Sequence, residues 1–91
     1  MKKSVKILIK GSVQGVFFRN FVKDEAEKRG IRGYIRNLEN GDVEAWFEGN
    51  MKEVDDILNL CRQGPPHANI REIEIEAQKF QDFKLFKILH I

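Results

Sequence analysis

The chain holds a single cysteine, Cys61, in 91 residues, which rules out an intrachain disulfide and a thiolate metal cage. That scarcity fits a reducing compartment, and the cytoplasm is the expected location. Long apolar runs are also missing. The N-terminal stretch Met1–Lys10 carries basic residues, but its apolar part is far too short for a signal peptide or a membrane span of about 20 residues. Nor does charge of one sign accumulate: 16 Lys and Arg face 14 Asp and Glu, interspersed, so no field points to nucleic acid or an anionic membrane. Tyrosine and tryptophan occur once each against seven phenylalanines, a balance that suits a compact interior. The length fits one domain, residues 1–91, and leaves no room for a separate cofactor-binding lobe.

What is present is a clear succession of patterns. Val5, Ile7 and Ile9 alternate with Lys6, Leu8 and Lys10 as in a half-buried strand, which the Gly11–Gly15 segment interrupts. Phe18, Phe21, Val22 and Ala26 then share one helical face, predicting a helix over about Val16–Arg29 that Gly30 stops. Two strands, Ile31–Asn37 and Asp42–Glu48, are joined through Asn40-Gly41, the strongest short signal for a tight hairpin. A second helix, Met51–Arg62, shows Val54, Ile57, Leu58 and Cys61 at buried-stripe spacing, and Gly64-Pro65-Pro66 ends it. Ile73, Ile75 and Ala77 alternate with Glu72, Glu74 and Glu76 in a fourth strand, and Lys84–Ile91 predicts a short fifth. The order βαββαβ plus a terminal strand is that of an α+β ferredoxin-like sandwich, an antiparallel sheet with both helices on one face. In that arrangement the first and second strands run parallel on either side of the third. The Gly11–Arg19 loop and Asn37 therefore meet at one sheet edge, roughly 10 Å apart.

The loop Gly11-Ser12-Val13-Gln14-Gly15-Val16-Phe17-Phe18-Arg19 leads from a strand into a helix, and its glycines permit backbone to approach a ligand closely. The first helical turn leaves N–H groups without partners, and these attract anions. The second helix can satisfy its own first turn through Asn50 and Glu53, an Asn-x-x-Glu pattern. The first helix has no such residue at its start. Arg19, one turn in, offers a planar fork for two phosphate oxygens. On residues alone, an anion cradle and a mere tight turn both remain open. The loop is neither a Walker A motif nor a dinucleotide fingerprint.

The same nine residues resemble the first signature of the acylphosphatase family. Gly33-Tyr34-Ile35-Arg36-Asn37, followed by Gly41, Val43 and Gly49, resembles the second, and Gly64-Pro65-Pro66, Ala68 and Ile73-Glu74-Ile75-Glu76 are similar to the later region. Phe17 stands where many members have glycine, and Ile35 where valine or alanine is commoner. The resemblance implies hydrolysis of acyl phosphates to carboxylate and inorganic phosphate without metal or cofactor. It also implies the site: phosphate held by the backbone of Gln14, Gly15, Val16, Phe17 and Phe18 with Arg19, and water oriented by Asn37. A small-molecule acyl phosphate and inorganic phosphate are the expected partners, with no nucleic acid and no membrane, and the expected form is a monomer.

Other chemically suggestive residues have plainer readings. Cys61 belongs to the apolar stripe and reads as a core thiol. His67 and His90 have no partner pattern for a metal or a triad. Glu72, Glu74 and Glu76 read as the solvent face of a strand, and Trp46 as sheet packing or a partly exposed face. An RNA-binding module of the same architecture would need stacking aromatics in the first strand, where Ile7-Leu8-Ile9-Lys10 has none. An acylphosphatase-like domain of a larger carbamoyl-transfer protein would keep the site for another purpose, and appended domains would mark it.

Overall fold

The structure, a computed structural model, describes residues 1–12, 16–64 and 69–90. Its elements are β1 (Lys2–Ser12), α1 (Val16–Lys28), β2 (Arg32–Asn37), β3 (Val43–Asn50), α2 (Met51–Gln63), β4 (Asn69–Ala77) and β5 (Phe86–Leu89). The strands form one sheet in the order β4-β1-β3-β2-β5. β1 lies antiparallel to both β3 and β4, and β2 lies antiparallel to β3, whereas β5 runs parallel to β2. The fold is the expected ferredoxin-like one, but its fifth strand makes the sheet mixed rather than antiparallel.

One face of the sheet is apolar. Val5, Ile7 and Ile9 of β1, Ile35 of β2, and Val43, Ala45 and Phe47 of β3 are all buried beneath the two helices. α1 contributes Phe18, Val22 and Ala26 to this core, with Phe21 packed at its margin, and α2 contributes Val54, Ile57, Leu58 and Cys61. Burial of these side chains is the main source of stability, at about 25 cal/mol for each Å² of apolar surface removed from water. α1 packs over β2 and β5, and α2 over β3, β4 and β1.

The element ends have identifiable causes. α1 stops in a Schellman motif: Gly30 has φ +67°, its N–H donates to Glu27 O, and the Ile31 N–H donates to Ala26 O. Asn50 caps α2 by accepting from the Lys52 N–H at 3.0 Å. Glu53 does not complete the reciprocal cap; it reaches Arg29, in the turn just past the end of α1, at 3.6 Å. Between β2 and β3 the Leu38 N–H donates to Asp42 O and the Gly41 N–H to Leu38 O, so Glu39, Asn40 and Gly41 form a three-residue turn closed by Gly41 at φ +96°.

The face away from the helices is crossed by residues 78–85, which carry the chain from β4 at one edge to β5 at the other. Glu48 of β3, 3% exposed, fastens this strap. Its carboxylate accepts hydrogen bonds from the Ser4 hydroxyl, the Trp46 Nε1–H and the backbone N–H groups of Gln81 and Phe83. The Phe83 ring meets Trp46 and Tyr34 edge-on, with centroids 5.6 and 5.9 Å away. Trp46 is thus neither bare nor in the main core but under the strap.

Candidate functional site

β1 and β2 both pair with β3, and the register fixes what stands opposite what. Ile9 pairs with Val43, and Asn37 pairs with that same Val43. Ile9, Val43 and Asn37 therefore form one row across three strands, with Asn37 about two strand spacings, roughly 10 Å, from β1. Residues in a row share a face. Because Ile9 and Val43 are fully buried beneath the helices, Asn37 at the end of β2 projects to the helix side. α1 begins just after β1 leaves this edge, so its first turn and the end of β2 lie at the same end of the molecule.

Arg19 is the fourth residue of α1, on a half-exposed flank beside the buried Phe18. Phe17 is 87% exposed, an unusual degree for phenylalanine. α1 has no acidic residue in its first turn, so no carboxylate there competes with an anion for its N–H groups. Val16, Phe17 and Phe18 supply the first backbone positions of the helix, whereas Gln14 and Gly15 lie outside the described residues. His67 falls outside them as well.

Asn37 has a second distinguishing property. Its side-chain Oδ1 is shielded from solvent and accepts no hydrogen bond among the described residues. An unpaired buried acceptor costs about 1–3 kcal/mol, a cost that a donor from a water or from a bound molecule would offset. Behind it the strand end is anchored from the opposite face. Glu44 accepts from Arg36 Nε at 2.9 Å and from the Tyr34 hydroxyl at 2.8 Å, bracing β2 against β3 one residue before Asn37. Burial opposes ionisation of Glu44, but the hydrogen bonds from Arg36 and Tyr34 outweigh it and hold the carboxyl below its ordinary range. Burial and the bond to Glu44 push the Tyr34 phenol up to about 12.

The loop's departure from β1 is shaped by an irregularity that sequence patterns do not reveal. Lys10 pairs with Glu72 and Gly11 with Ile70, leaving Arg71 of β4 as an extra residue. Gly11 has φ +138°, and a Cβ there would stand 2.0 Å from Asn69 O. Only glycine fits, and the bulge bends the strand where the candidate anion loop begins.

The remaining sequence candidates keep their plain readings. Cys61 is fully buried, and burial pushes its thiol up to about 12, far from a nucleophile's range. Glu72, Glu74 and Glu76 are exposed, with Lys10 Nζ 3.0 Å from Glu74. Among the described residues no group of three or more His, Cys, Asp or Glu is arranged to hold a metal ion, and no helix is long and apolar enough to cross a membrane.

Comparison with known proteins meets this geometry from another direction. The family model described as Acylphosphatase matches residues 5–88. An acylphosphatase from Syntrophus aciditrophicus is 42% identical over 91 residues, covering 99% of this chain and 95% of the relative. One from Rubrobacter xylanophilus is 45% identical over 76 residues, covering 84% of this chain and 69% of the relative. The crystal structure of the acylphosphatase from Bacillus subtilis superimposes with a TM-score of 0.92 at 30% identity, covering 99% of this chain and all of the other.

Proposed function

Because the chain belongs to the acylphosphatase family, we propose that Arg19 and the loop before it hold the phosphate of an acyl phosphate while Asn37 orients the attacking water. The protein is an acylphosphatase, a hydrolase that divides its substrate into a carboxylate and inorganic phosphate.

The chemistry asks little of a general acid, since the leaving carboxylate belongs to an acid of pKa about 4. Phosphoryl transfer through a loose transition state depends on in-line positioning and on neutralising the three equatorial oxygens. The N–H groups of the Gln14–Phe18 backbone and the Arg19 guanidinium perform the second task, in the same geometry for ground and transition states. Asn37 performs the first, its amide accepting from and donating to water. The observation that carries this reading is the row Ile9–Val43–Asn37, which sets the unpaired acceptor at the edge where β1 hands over to α1. The gap of roughly 10 Å accommodates a phosphate and the arginine fork.

No step uses a metal ion, so exhaustive chelation leaves turnover intact. One chain supplies both side chains of the site, so a monomer suffices for the reaction. A reducing compartment such as the cytoplasm suits the lone thiol.

The decisive experiment compares two variants, each confirmed folded by circular dichroism. Arg19→Ala loses turnover by at least about 10²–10³ together with affinity for inorganic phosphate. Asn37→Ala loses turnover while phosphate affinity, read by calorimetry, stays near that of the wild type, as befits a group acting in the transition state. Normal phosphate binding by Arg19→Ala, or equal loss of binding in both variants, refutes the division of labour.

A further inference from the structure

The register of β5 brings forward a residue with no evident partner in the sequence. Gly33 stands opposite Phe86 and Arg36 opposite Leu89 in the parallel pairing of β2 and β5. The pairing ends there, at the last residue of β5, and one further residue of extended chain on each side would set His90 beside Asn37, at a strand spacing of about 4.8 Å. Phe86 is buried and Ile88 packs against the core, so alternation carries His90 to the helix-covered face. Asn37 projects to that face too. α1 packs over these two strands, and its first turn with Arg19 lies at this edge. His90 itself is exposed and open to proton exchange with solvent.

We infer that His90 is a further catalytic residue, the second acceptor for the attacking water; this rests on the assignment of that water to Asn37. Water attacks phosphorus with a lone pair, and both of its hydrogens must then point elsewhere. Asn37 Oδ1, the buried acceptor without a partner, takes one. The other needs an acceptor that Arg19 and the loop N–H groups, all donors, cannot supply, and a neutral imidazole nitrogen can. The acidic groups nearest along β3, Asp42 and Glu44, flank Val43 and so belong to the opposite face, where Tyr34 and Arg36 already occupy Glu44. In the step itself the water oxygen bonds to phosphorus as the bond from phosphorus to the acyl oxygen breaks. The electron pair leaves with the carboxylate, and the water proton passes to the imidazole and on to solvent.

The test uses the intact protein, acetyl phosphate as substrate, and the variants His90→Ala and His90→Gln, each checked for folding by circular dichroism. Both lower kcat at least about tenfold, less than the 10²–10⁴ of a full general base because a loose transition state needs little proton removal. KM and the affinity for inorganic phosphate stay unchanged, and free imidazole restores part of the rate of His90→Ala but does not accelerate the wild type. Wild-type kcat in both variants overturns the inference, with the phosphate oxygen left as proton acceptor. A loss that imidazole does not restore, or one that extends to phosphate affinity, overturns it too. Asn37→Ala run alongside separates the two levels: if it also retains full rate, the assignment of the water to Asn37 has failed, and not the role of His90 alone.

Discussion

Replacing Glu48 by glutamine tests whether the strap is held by charge as well as by shape. The carboxylate is 3% exposed and serves four donors. Its Oε2 accepts from the Ser4 hydroxyl at 2.9 Å, from Trp46 Nε1 at 3.3 Å and from the Gln81 N–H, and its Oε1 accepts from the Phe83 N–H at 3.3 Å. Glutamine has one carbonyl oxygen to offer. Placed at the Oε2 position it keeps three donors, but each bond falls from the charge-assisted range of about 1.5–3 kcal/mol to about 0.5–1.5. The amide NH2 then faces the Phe83 N–H, donor against donor. Recovered desolvation of the carboxylate offsets part of the loss, leaving roughly 3 kcal/mol. For a chain of this length that lowers Tm by about 12–24 °C. Glu48→Ala, which strands every donor, lowers it further. Urea and thermal melts followed by the emission of Trp46, the only tryptophan, and by circular dichroism measure both. Acyl phosphate hydrolysis well below the transition persists in Glu48→Gln, because Glu48 sits near the end of β3 remote from Val43. A loss below about 1 kcal/mol, or equal losses for glutamine and alanine, refutes the reasoning.

Tyr34, the only tyrosine, stays protonated through pH 10 and ionises near 12 because of burial and its bond to Glu44; ultraviolet titration shows this, and in Glu44→Gln the midpoint falls but remains above the ordinary phenol value. The Cys61 thiol, also raised to about 12 by burial, keeps its proton in the folded chain while the unfolded chain loses it above about pH 9; its contribution to stability is complete below that value and declines between pH 9 and 12. A thiol reagent accordingly labels native protein at neutral pH no faster than the chain opens, and rapid stoichiometric labelling contradicts this. Gly33→Ala costs at least about 3 kcal/mol by urea denaturation, since its φ is +142° and the added Cβ would stand 1.8 Å from Trp46 O.

The parts of this molecule that sequence patterns predict are those governed by local periodicity. Val54, Ile57, Leu58 and Cys61 lie on one face by spacing alone, and all four are buried. Val5, Ile7 and Ile9 point inward for the same reason. Once the element order is read as a split βαβ unit, the arrival of the ends of β1 and β2 at one edge, on either side of β3, follows from topology. What escaped depends on contacts between distant segments. Lys2, Lys3 and Ser4 have no strand-like apolar pattern, yet β3 supplies them with partners and extends β1 to the N-terminal end. Glu53 looks like a capping residue until Arg29 arrives from the turn that follows α1. The direction of β5 is invisible to an alternation of four residues. The burial of Glu48 leaves no mark in the alternation of β3, because three of its four donors come from Ser4 of β1 and from a strap without periodicity, and only Trp46 from its own strand.

The shared pairing partner of Ile9 and Asn37 has a consequence for engineering. Val43 contributes no chemical group, yet the spacing of the candidate site is recorded in its backbone hydrogen bonds. An insertion or deletion in the turn Glu39–Gly41 would alter a surface loop and leave that record intact. A single residue added within β3 just after Val43 would swing every following side chain to the other face, sending Ala45 and Phe47 out of the core. Tolerance to length change should therefore alter abruptly at Val43, so that a library of single-residue insertions across residues 38–48 would map the boundary between loop and site without touching a reactive group.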